Sequence, residues 1–99
     1  MVIIQMLDGE RIEVHQETVL VGINNAPKTD NPEEALFYLR QMYMGNLQGD
    51  FEVKGSALST VDERLGIGGF LLSHDAFTIG DGPDKTIYFT SAVKSVSVI

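Results

Sequence analysis

The chain opens with a short apolar run, Val2-Ile3-Ile4-Gln5-Met6, followed by Leu7-Asp8-Gly9 and then a clean alternation, Arg11-Ile12-Glu13-Val14-His15. This pattern predicts a β-hairpin closed by a three-residue loop, with Gly9 in the left-handed conformation. Register supports that loop. It sets Ile4 opposite Ile12 and Val2 opposite Val14, whereas a two-residue Asp8-Gly9 turn would pair Ile4 with Glu13 and Met6 with Arg11. His15 then lies on the wet face with Arg11 and Glu13. Val19 to Ile23 is nearly continuous in apolar residues and reads as a more buried strand.

Asn24 to Asp30 is rich in turn formers and reads as a loop leading into a helix over about residues 32–44. Asn31 is placed to cap it, Pro32 suits its first position, Glu33 and Glu34 complement the positive end of its dipole, and Gly45 stops it. At about 100° per residue, Ala35, Leu36, Tyr38, Leu39, Met42 and Tyr43 fill an arc roughly 160° wide, the expected core stripe. Phe37 and Met44 fall on the opposite side, flanked by Arg40 and Gln41. These four residues form the candidate partner contact of the sequence reading, unless the following loop folds over them.

Residues 45–69 are expected to form a long connection. Within it lie a short strand over Asp50 to Lys54, a helical turn over Val61 to Leu65 capped by Ser59 or Thr60, and Gly66-Ile67-Gly68-Gly69 as a hinge or a close backbone approach. The last third returns to β structure: Phe70 to Ser73, Ala76 to Ile79, a turn at Gly80 to Asp84, and Thr86 to Thr90. Val96 and Val98 alternate with Ser95 and Ser97 while Val93 is out of phase, which predicts a tight turn or bulge before the final strand. The expected architecture is α+β: a curved antiparallel sheet, or a small SH3-like or Sm-like barrel, of about five to seven short strands with one main α-helix. The likeness to those barrels is one of patterning alone, and such barrels host many functions.

Composition narrows the function classes. Ninety-nine residues suit a single domain spanning 1–99. Cysteine is absent, which excludes disulfides and thiol chemistry and fits a cytoplasmic setting. The N-terminal run has no basic start and breaks off at a turn, so it is expected to be a strand rather than a leader or a membrane span. Seven Lys and Arg against fourteen Asp and Glu give a net charge of −7, which argues against direct nucleic-acid binding.

No motif supplies a reactive centre. Ser73-His74-Asp75 are sequence neighbours, whereas a triad converges from separated segments. His15 and His74 lack metal-ligand spacing, Asp81-Gly82-Pro83-Asp84 lacks a calcium loop's ligand pattern, and the glycines near 66–69 lack a nucleotide fingerprint. No catalytic residue, cofactor or metal is therefore expected. The reading is a non-enzymatic interaction or assembly module, engaging a protein partner or a second copy of itself. Its surface would be the outer face of helix 32–44, an unpaired sheet edge such as the C-terminal strand, or both. The alternatives are an acidic inhibitor occupying the basic groove of a nucleic-acid-handling protein, and a small-ligand binder.

Overall fold

A computed structural model describes residues 1–25, 39–48, 58 and 60–99. These residues form an α+β fold with two antiparallel sheets and a single described helix. In chain order the elements are β1 (Val2–Met6), β2 (Arg11–Val14), β3 (Leu20–Asn25), β4 (Leu39–Gly45), α1 (Glu63–Leu72), β5 (Ala76–Ile79), β6 (Tyr88–Phe89) and β7 (Val93–Val98). The first sheet has the order β2-β1-β7 and the second β4-β3-β5-β6. Of the two expected forms the curved-sheet one holds; the sheets do not close into a barrel.

The opening hairpin takes the register that its apolar positions require. Val2 faces Val14 and Ile4 faces Ile12. The Met6 amide donates to the Glu10 carbonyl (2.8 Å), the Gly9 amide donates to the Met6 carbonyl (3.1 Å), and Gly9 has φ +97°. On its other side β1 pairs with β7, Val2 to Val98 and Ile4 to Val96. The phase slip at Val93 is a bulge: Gln5 faces Ser95 and Met6 faces Val93, leaving Lys94 unmatched. The chain changes sheets at two places, through residues 15–19 and through the 3-10 turn Thr90–Ala92. The Leu7 amide anchors that second crossing by donating to the Ala92 carbonyl (2.8 Å).

The main core lies between the sheets. Val2, Ile4 and Val14 meet Leu20 and Phe77 from the second sheet and Ile67, Phe70 and Leu71 from α1. A smaller cluster of Val21, Ile23 and Ala76 occupies the opposite face of β3 and β5. Alternation along β3 therefore sends Leu20 and Gly22 one way and Val21 and Ile23 the other. Gly22 stands between Tyr43 and Phe77 on its neighbouring strands, and the His74 ring packs over its bare Cα. A Cβ at Gly22 would come within 2.6 Å of that ring.

Two assignments made from sequence are corrected here. The expected helix over about 32–44 is not present in its second half, because Leu39–Gly45 is strand β4 paired to β3; residues 32–38 lie outside the described residues. Tyr43 packs against Phe70 on the main-core side, while its neighbour Met44 packs with the smaller cluster. Adjacent residues serving opposite faces is the behaviour of a strand. The run contains no glycine or proline before Gly45 and no β-branched residue, so local preference favours helix, and pairing with β3 overrides it.

The described helix lies instead at Glu63–Leu72, where a helical turn followed by a flexible glycine stretch and then a strand from Phe70 were expected. Three of its ten residues are glycine, each costing about 1 kcal/mol relative to alanine. Burial of Ile67, Phe70 and Leu71, spaced as one helix face, offsets that cost. The cap is Asp62 rather than Ser59 or Thr60; its carboxylate accepts from the Arg64 amide (3.1 Å). The anticipated close approach is real at Gly66, where a Cβ would fall 2.0 Å from the Leu58 carbonyl oxygen. Among the described residues, nothing lies within 4 Å of a Cβ built at Gly68 or Gly69. The Asp50–Lys54 strand assignment lies outside the described residues.

A polar contact ties the sheets together at the rim. Tyr88 stacks on Phe77 (5.4 Å between ring centroids), and its hydroxyl donates to Glu10 Oε2 (2.9 Å). That bond, with partial burial and the charges of Glu10 and Asp8, raises the Tyr88 hydroxyl above the ordinary tyrosine value; burial does the same for Tyr43.

Two predictions follow from this packing. Gly69→Ala should stabilise the protein by about 0.5–1 kcal/mol, because α1 gains helix preference where nothing obstructs a methyl group. Gly66→Ala, on the same helix, should destabilise it by about 2 kcal/mol or more through the clash with Leu58. Chemical denaturation of the two variants checks the opposite signs. Second, the neutral Tyr88 hydroxyl is the form that folding favours. Its contribution is complete below the unfolded tyrosine value near 10 and is lost as pH rises through the higher folded value. Tyr88→Phe should therefore lose about 0.5–1 kcal/mol at neutral pH, and the gap to the parent should close at strongly alkaline pH. Unfolding curves measured from pH 7 to 11 test this.

Candidate partner interface

The four residues singled out from sequence do not form one patch. Phe37 lies outside the described residues. Arg40 and Gln41 are exposed but adjacent on β4, so their side chains point to opposite faces of the strand. Met44 is half-buried against the Val21, Ile23 and Ala76 cluster. The exposed apolar residues of β4 are Leu39 and Met42 instead.

Ser73, His74 and Asp75 use their polar atoms locally at the junction of α1 and β5. Ser73 Oγ donates to the Gly69 carbonyl (2.7 Å), and His74 Nδ1 lies 2.8 Å from the Phe70 carbonyl. Asp75 Oδ2 accepts from the Asn25 amide (2.8 Å). The three side chains are structural fittings that fix where β5 leaves the helix. His15 Nε2 lies 3.4 Å from Glu13 Oε2 on the wet face of the hairpin. Among the described residues no three His, Asp or Glu side chains gather as a metal site, and no helix is long and apolar enough to cross a membrane.

The sheet edge at β7 has a more developed surface. The Ile99 amide donates to the Met1 carbonyl (3.0 Å), and the Met1 amine donates to the Ile99 carbonyl (3.3 Å). In an antiparallel ladder this fixes the alternation: Ile99, Ser97 and Ser95 turn their backbone groups toward β1. Val96 and Val98 turn their N–H and C=O groups outward. No described residue pairs with that outer edge, so four backbone hydrogen-bonding groups face away from the sheet.

An open groove of about 620 Å³ runs beside this edge. Val96, Ser97 and Val98 line one side with Met1, and Val61, Asp62, Glu63 and Arg64 of the α1 entry line the other. Val61 is fully exposed and Val98 is 47% exposed. Asp62 and Arg64 satisfy each other, Arg64 Nε to Asp62 Oδ1 at 3.0 Å and Nη2 to Oδ2 at 2.6 Å. The side-chain bond to Arg64 lowers the Asp62 carboxyl below the usual range, and the same bond raises Arg64. Glu63 is only half satisfied. Its Oε1 accepts from Gln16 Nε2 (3.1 Å), while Oε2 is buried and meets no donor among the described residues.

Sequence reasoning reached the C-terminal edge and a helical turn over Val61 to Leu65, but not its cap at Asp62 or the continuation of the helix to Leu72. The missed signal was Val61-Asp62-Glu63 ahead of Ile67, Phe70 and Leu71: an acidic helix start followed by apolar residues at helical spacing. Compared with models of known protein families, with curated proteins and with solved structures, the chain matches none of them.

The assigned alternation makes a prediction about proline. Val98→Pro removes an amide that points out of the sheet, whereas Ser97→Pro removes one that bonds to β1. Ser97→Pro should cost about 1–3 kcal/mol more than Val98→Pro in thermal or chemical unfolding.

Proposed function

We propose that this chain is a non-enzymatic protein-interaction module that binds its partner through the outer edge of β7 and the groove beside it. The observation that carries this reading is the conjunction of outward backbone groups at Val96 and Val98 with an open groove on the same side. Strand addition of this kind draws affinity from main-chain hydrogen bonds and selectivity from the flanking pocket. An unprotected edge is a hazard for a sheet protein, and occupation by a partner removes it. The exposed side chains of Val61, Val98 and Ile99 add apolar area at the same place.

The acidic-mimic alternative has less support. Glu10 accepts from Tyr88, Glu13 pairs with His15, and Asp8 Oδ1 accepts from the Glu10 amide (2.9 Å). Carboxylates engaged in local bonds are poorly arranged to copy a phosphate backbone.

The test compares the parent chain with Val98→Pro as baits in affinity capture from the source cell, together with solution mass measurement of each. The reading requires a partner, or a second copy, that is held by the parent and released by Val98→Pro at unchanged thermal stability. A partner held equally by both proteins overturns it. Binding that ignores Val98→Pro but falls steeply with salt assigns the acidic-mimic role instead.

A further inference from the structure

We infer that Asp81-Gly82 is a covalent modification site, where aspartate isomerises to isoaspartate in the folded protein, while the same dipeptide at Asp8-Gly9 is protected. Asp-Gly occurs in the sequence at these two places, and Asn-Gly does not occur. In the first step the Gly82 amide nitrogen attacks the side-chain carboxyl carbon of Asp81. A nitrogen–carbon bond forms, the carboxyl hydroxyl leaves with the amide proton as one water, and a succinimide ring remains. Water then adds back to the ring. Opening at the main-chain carbonyl breaks its bond to the Gly82 nitrogen and routes the backbone through the former side chain. Opening at the other carbonyl restores aspartate. Water is the sole co-reactant, and the mass of the product equals that of the parent. Glycine at the second position favours ring closure because it brings no Cβ against the attacking nitrogen.

What separates the two pairs is whether the fold already holds the reacting groups. In the hairpin the Gly9 amide donates to the Met6 carbonyl (3.1 Å), and Asp8 Oδ1 accepts from the Glu10 amide (2.9 Å). The Met6 amide, donating to the Glu10 carbonyl (2.8 Å), closes the loop around them. Nucleophile and electrophile are each bonded to a third group, so bringing them together requires the hairpin loop to open. The connection from β5 to β6 is anchored on either side of the reacting bond instead. The Gly80 amide donates to the Val19 carbonyl (2.7 Å), and the Gly80 carbonyl accepts from Thr78 Oγ1 (2.7 Å). Beyond the bond, the Gly82 carbonyl accepts from the Lys85 amide (3.2 Å). Between these anchors the Gly82 amide donates to no described residue, and the exposed Asp81 carboxylate meets no donor or cation among them. Asp81 therefore turns onto the Gly82 nitrogen without breaking a bond of the fold. The backbone atom that isoaspartate inserts falls beyond the last pair of β3 with β5, Leu20 and Ile79, so the sheet keeps its register.

The experiment keeps the full chain for several weeks at neutral pH, well below its unfolding temperature, and a second sample in concentrated urea. Cleavage after Lys and Arg then places Asp8 in the peptide 1–11 and Asp81 in the peptide 65–85. Electron-transfer fragmentation locates isoaspartate in each, and transfer of a labelled methyl group by an isoaspartyl methyltransferase measures it independently. In the folded chain isoaspartate should accumulate at Asp81 about tenfold faster than at Asp8. In urea the two rates should converge, because both pairs are then unrestrained. Asp81→Glu, which would have to close a larger and slower-forming ring, should remove the signal from the peptide 65–85 with thermal unfolding unchanged. Equal accumulation at both sites in the folded chain, or none at Asp81, overturns the inference. A tenfold difference that persists in urea overturns it too, since the cause would then be the flanking residues rather than the fold.

Discussion

The structure depends on the register of β1. This strand is paired on both sides, and its even-numbered side chains, Val2, Ile4 and Met6, all enter the main core. Apolar partners meet them from both neighbours: Val14 and Ile12 from β2, Val96 and Val93 from β7. A slip of one residue on either side would turn those partners to solvent, so the register is held by burial rather than by hydrogen bonding alone. The same register decides which backbone groups of β7 are spent on β1. Because Ser95, Ser97 and Ile99 are spent there, Val96 and Val98 are left facing out. Core packing and the open edge are two consequences of one alignment.

How much of this could be seen in the residues depended on how local the deciding interaction was. The hairpin was legible because its partners are only six to twelve positions apart and its loop carries Gly9. The bulge at Lys94 was legible because a period-2 pattern that breaks phase must insert a residue. The α+β class and a strand count within range followed from the β-rich start and finish. The stretch from Leu39 to Gly45 was not legible. Its side chains suit either period, and what makes it a strand is pairing with β3, which is set by contacts some twenty residues upstream. The helix at Glu63–Leu72 was legible only in its first turn, for the opposite reason: its glycines argue against helix locally, and only the shared core of Ile67, Phe70 and Leu71 overrules them.

Close approach explains two of the glycines, Gly66 and Gly22. Gly66 makes room for the Leu58 carbonyl, so the helix can lie close to the segment that precedes it. Gly22 makes room for the His74 ring, itself packed against Phe70 (4.8 Å between centroids) and held by the Phe70 carbonyl. That arrangement fixes the helix end against the centre of the second sheet. It uses His74 as a flat filler with one polar anchor, which is why a residue that looked chemical in the sequence is structural in the fold. The helix start is fixed in turn, and with it the position of Asp62, Glu63 and Arg64 beside β7.

The edge at β7 is unevenly defended. Natural sheets blunt free edges with charges, bulges or covering segments, and here the charge and the bulge coincide at Lys94. The other end, Val96 to Val98, has neither. What stands beside it is the first turn of α1, close enough to line one groove with it yet leaving that groove open. A full cover would bury the outward groups of Val96 and Val98 without partners, at a cost of the order of 1–3 kcal/mol for each. Leaving them open keeps them hydrated but exposes a template for strand addition. An added strand would pair those groups instead, which removes both the desolvation cost and the open template.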